Sequence, residues 1–68
     1  MDNNEFHSRV KRYAKRNGLD CRFEPTEGKG SHGRLYLGSR FTTLKRGEIG
    51  PGLLSAMLRQ LGIQKKDF

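Results

Sequence analysis

The chain has one cysteine, two prolines, no tryptophan and only seven acidic residues in 68. A single cysteine, Cys21, excludes an internal disulfide, so a reducing, cytoplasmic setting is the simpler expectation. Its ordinary role is that of a small buried hydrophobe. No apolar run exceeds three residues, which excludes a membrane-spanning helix. The opening Met1-Asp2-Asn3-Asn4-Glu5 is polar and acidic, unlike a secretory leader. His7, Cys21 and His32 lack ligand spacing and have no carboxylate cluster beside them, so neither metal nor cofactor is expected. Gly28-Lys29-Gly30-Ser31 lacks the full phosphate-loop pattern and leads into a strand, which argues against a nucleotide site. Ser31 beside His32 has no third partner or strand–turn–helix elbow for nucleophilic catalysis.

What is abundant is positive charge. Fourteen Lys and Arg give a net charge of +7, which favours a polyanionic partner. A domain this short buries only about 60% of its unfolded surface, so the core is thin and a partner that covers apolar surface would stabilise it.

The pattern predicts one domain over 1–68, of α+β class. Asp2 and Glu5 have capping-box spacing, and Phe6, Val10, Tyr13 and Ala14 share one face of a helix over about 3–17, stopped by Gly18. The basic residues on its other face fit either a solvated surface or a polyanion contact. Cys21 and Phe23 alternate with Arg22 and Glu24 in a half-buried strand over about 20–24. Thr26 to Ser31 reads as a loop. Strands over about 33–37 and 40–45 flank Gly38-Ser39, a two-residue turn of type II′. That turn sets the register, placing Leu35, Leu37 and Leu44 on one face. On the other, Tyr36 opposes Phe41, Arg34 opposes Thr43, and His32 opposes Lys45. Pro51 opens a second helix over about 51–61, with Ile49 stapling onto Leu54 and an apolar stripe of Leu53, Leu54, Met57, Leu58 and Leu61. Phe68 either docks or frays. The order α-β-β-β-α lets both helices pack on the leucine face of a three-stranded antiparallel sheet and leaves the other face open.

His32 is the candidate catalytic residue, because histidine exchanges a proton near neutral pH. Glycines flank it, Lys29, Arg34 and Lys45 are placed to hold phosphate, and Tyr36 and Phe41 offer surfaces for base stacking. The plain alternatives are an edge-strand histidine and a cross-strand aromatic pair that steadies the hairpin. His7 is expected near the solvent edge of the core, without a role.

Gly30-Ser31-His32, the Arg-Phe-Thr-Thr return, Gly47-Glu48-Ile49, Gly52-Leu53-Leu54 and Leu58-Arg59-Gln60-Leu61-Gly62-Ile63 together resemble the HicA family of bacterial toxins. The likeness runs from about Lys29 to Phe68. It implies a double-stranded-RNA-binding-like fold and a metal-independent endoribonuclease that cleaves mRNA and is silenced by a HicB-type antitoxin. The family's catalytic histidine maps onto His32. The pattern departs at Gly33, where many members carry a polar or aromatic residue. Two readings outside catalysis stand beside this one: an RNA-binding module of the same fold without enzymatic activity, and a basic adaptor for an acidic protein.

Overall fold

The computed structural model describes residues 1–26 and 32–68. Lys29, Gly30 and Ser31 of the sequence motif lie outside the described residues. The elements are α1 (Asn3–Asn17), β1 (Cys21–Pro25), β2 (His32–Leu37), β3 (Arg40–Lys45) and α2 (Pro51–Leu61), followed by a 3₁₀ turn at Lys65–Asp67. The strands form one antiparallel sheet in the order β1-β2-β3, giving an α+β arrangement of helix, three strands and helix.

The hairpin carries the geometry. Gly38 has φ +59° and no described residue other than glycine has positive φ, so the turn has the expected left-handed first position followed by an ordinary second one. The resulting pairs are Leu37 with Arg40, Leu35 with Thr42, Gly33 with Leu44, and His32 with Lys45. Alternation then buries Leu35, Leu37 and Leu44 against the helices. Thr42 is also buried there, and its hydroxyl donates to the Gln60 side-chain oxygen, so the core polar group is satisfied.

From α1, Phe6, Val10 and Ala14 enter the core one turn apart; from α2 and its exit come Met57, Leu58, Leu61 and Ile63. Both helices end in a glycine-terminated cap. After α2, the Gly62 N–H bonds the Arg59 carbonyl and the Ile63 N–H bonds the Leu58 carbonyl. At the start of α1 the Asp2 carboxylate accepts from the Asn4 N–H at 2.7 Å. The reciprocal half of the expected capping box is missing, because Glu5 lies instead 3.4 Å from Arg9, one turn further on.

Both chain ends are tied down. The Met1 ammonium bonds the Glu48 carboxylate and the Ile49 carbonyl, while Ile49 N–H donates back to the Met1 carbonyl. Phe68 docks: its ring lies 5.3 Å from that of Phe6, with the Arg9 guanidinium 5.6 Å from it. Two other expectations need correction. Leu53 is 53% exposed and leaves the α2 stripe, because the sheet ends at β3 and no described residue lies over that side of the helix. Phe23 is 39% exposed and not half-buried, since β1 is an edge strand with little of α1 above it.

The Phe23 ring nevertheless has a purpose: it covers Gly33. A Cβ built on Gly33 would meet Phe23 Cζ, would lie 2.6 Å from its Cε1, and would lie 2.8 Å from the Glu24 carbonyl oxygen. The ring can swing away, but the partner strand's backbone cannot. Gly33→Ala is therefore expected to destabilise the fold by about 1–3 kcal/mol. For a domain of this size that is a loss of roughly 4–8 °C in Tm per kcal/mol. Thermal unfolding of Gly33→Ala, and of the same change combined with Phe23→Ala, checks this. An unchanged Tm in the single variant contradicts the close contact.

Candidate nucleic-acid interface

The face of the sheet away from the helices is built by the even-numbered residues of β1 and β2 and the odd-numbered residues of β3. It brings together His32, Arg34 and Tyr36 from β2 with Phe41, Thr43 and Lys45 from β3, and β1 adds Arg22 and Glu24. Of the predicted site residues, His32, Arg34, Tyr36 and Lys45 share this surface, while Lys29 lies outside the described residues. His32 is half-buried at the start of β2, directly across from exposed Lys45. Its carbonyl accepts from the Thr26 N–H at 2.9 Å, which fixes the strand at the histidine.

The centre of the face is a ladder in which two adjoining rings lie between two cations. The Arg22 guanidinium sits 4.4 Å over Tyr36, Tyr36 lies 5.6 Å from Phe41, and the Arg34 guanidinium sits 5.0 Å over Phe41. Arg22 is the member that the sequence reading left out. Its signal was present in the alternation with Cys21 and Phe23, but only the β1–β2 register places it against Tyr36. Tyr36 is half-buried under that guanidinium, so the ring available for stacking is Phe41, at 45% exposure.

Few of these contacts hold the cations firmly. Arg22 lies 3.2 Å from Glu24, and both side chains are more than half exposed. An exposed pair of this kind is worth about 0–1 kcal/mol, and an exposed cation–ring contact about 0.5–1 kcal/mol. Arg34 faces Glu24 across the strands, but that carboxylate bonds Arg22 and the Arg34 head group turns to Phe41. A phosphate reaching Arg22 or Arg34 thus displaces only weak partners, and a guanidinium already stacked on a ring is oriented to receive it.

A second imidazole lies at the same end of the sheet, on the opposite side. His7 of α1 packs 5.7 Å from the Phe23 ring, which itself covers Gly33. It is half-buried at the edge of the core, more covered by Phe23 than a solvent-facing position would be. The sheet stands between His7 and His32, so the two do not form a pair. Burial lowers the His7 pKa, with Lys11 acting in the same direction. Burial pushes the Cys21 thiol up, against the pull of Lys11, which fits a packing role. Among the described residues no three His, Cys, Asp or Glu side chains gather as a metal site, and no helix is long and apolar enough to cross a membrane.

Comparison with known protein families, curated proteins and solved structures finds no match to this chain.

Because the folded state holds His7 neutral, the unfolded chain binds a proton there more readily. Stability on this account is complete above the ordinary histidine pKa of about 6.5 and declines as pH falls below it. His7→Gln is expected to flatten that decline. Tm measured between pH 7.5 and 5 for both proteins checks it, and identical slopes count against the assignment.

Proposed function

We propose that the chain is a small metal-independent endoribonuclease of the HicA toxin type, acting on mRNA, with His32 as its catalytic residue and a HicB-type antitoxin as its silencing partner. One observation carries the reading: His32 stands at the end of an open face of the sheet, opposite Lys45, on the same surface as an arginine–aromatic ladder. Stacked arginines and an exposed phenylalanine suit a single strand of RNA, whose bases lie on rings while its phosphates meet guanidinium groups. A net charge of +7 supplies the attraction at longer range.

The reaction is attack of an RNA 2′-hydroxyl on the adjacent phosphorus, breaking the bond to the 5′-oxygen of the next nucleotide. His32 takes the hydroxyl proton or returns one to the leaving oxygen. The complementary transfer falls to water or Lys29; Tyr36, four residues along β2 and so about 13 Å away, is out of reach, and His7 is on the wrong side of the sheet. Lys45 and Arg34, joined by Lys29, offset the negative charge that builds on the phosphate oxygens. DNA lacks the attacking hydroxyl and is expected to bind without being cut.

The same ladder would also serve a module that binds RNA and leaves it whole. Purified protein incubated with a defined RNA in chelator separates the two. In the catalytic reading the wild-type chain cuts, and His32→Ala lowers the rate by about a hundred- to ten-thousandfold with affinity for RNA little changed. Intact RNA with the wild type supports the binding module, and undiminished cutting by His32→Ala removes this residue from catalysis.

A further inference from the structure

The sheet has two edges, and they are not equally open to further pairing. Thr26 N–H donates to the His32 carbonyl, and Gly38 N–H donates to the Asp20 carbonyl, so even-numbered residues of β2 turn their backbone groups toward β1. Gly33, Leu35 and Leu37 then bond to Leu44, Thr42 and Arg40. It follows that Phe41, Thr43 and Lys45 direct their N–H and C=O groups away from the sheet, along an edge where all three residues are exposed. The outward residues of β1 are Cys21, Phe23 and Pro25, and proline interrupts that edge by lacking an N–H.

The β3 edge is also shaped. Two cavities, of about 410 and 400 Å³, run beside it and share Thr43 and Gln60. One is floored by Leu53, Ala56 and Met57 of α2; the other lies beside Phe41 and Arg40. Leu53 and Phe41 are two large hydrophobic side chains left exposed on this domain, and they flank this one strand. A strand laid along β3 would point alternate side chains toward Leu53 and Met57, and the others toward Phe41 and Lys45.

The charge around the edge selects the occupant. Arg40, Lys45 and Arg46 line the two cavities, and the Glu48 carboxylate in the first is bonded to the Met1 ammonium. A second copy of a chain with net charge +7 would bring like charges together here. We propose that β3 receives, as a fourth strand, an extended segment of a partner protein in which carboxylate and aliphatic side chains alternate. This goes beyond the RNA reading and stands or falls separately from it, since its test involves no RNA.

The probe is a synthetic acetylated heptapeptide of alternating glutamate and valine, titrated into the isotope-labelled full chain. Its control has the same composition with the glutamates grouped at one end. Hydrogen exchange at the Phe41, Thr43 and Lys45 amides is expected to slow by at least about tenfold with the alternating peptide. Thr43→Pro removes an outward donor that the sheet itself does not use, and is expected to weaken binding by about tenfold. Leu53→Glu is expected to weaken it as well, and serves if the proline variant folds poorly. The proposal is overturned if both peptides bind equally, or if those three amides keep their exchange rates. Slowing of the same amides with rising protein concentration and no peptide would make a second copy the occupant, and would overturn it too.

Discussion

The arrangement rests on the register of one hairpin. Gly38 supplies the left-handed first turn position that lets two residues join β2 to β3, and the closing pair Leu37–Arg40 dictates every pair behind it. A slip of one residue would send Leu35 and Leu37 into water and bring Arg34 and Tyr36 against the helices. The burial of three leucines is thus the same event as the display of His32, Arg34 and Tyr36. Core and site are two faces of one constraint.

A two-layer domain of this kind leaves the outer face of its sheet uncovered, because both helices lie on the other. One buried cluster joins the two layers, and further contacts at the margins tie the chain ends to the helix layer. Met1 joins Glu48 and Ile49 at one end of α1, while Phe68 rests on Phe6 and Arg16 donates to the Asp67 carbonyl. These clamps fix the helix layer with contacts that take nothing from the open face. The face is free to carry groups that contribute little to stability: weakly paired arginines, one exposed ring and a histidine.

Gly33 shows how closely the two layers meet at the histidine. The residue after His32 has no side chain, and the ring of Phe23 from the neighbouring strand fills the space against which His7 packs. A polar or aromatic residue at 33 would collide with that ring and with the Glu24 carbonyl. Glycine at this position therefore has a packing cause: Phe23 supplies from β1 the bulk that β2 lacks. It also leaves one imidazole on each side of the sheet, in different surroundings.

Local physics was legible in the chain before any tertiary contact was known. The turn, the two-residue alternation, the glycine stops and Pro51 at the start of α2 depend on neighbours in sequence, and they determined the element order, the face of each strand residue and the company of His32. Other features required residues far apart to meet. Arg22 is one of several exposed cations until β1 pairs with β2 and sets it over Tyr36; Phe23 and His7 are unrelated until α1 crosses the sheet; Leu53 belongs to the α2 stripe by spacing but lies beyond the last strand. Docking of Phe68 likewise depends on where Phe6 emerges. Periodicity states which way a side chain points, whereas the identity of what it meets is a property of the packed layers, and only tertiary structure decides that.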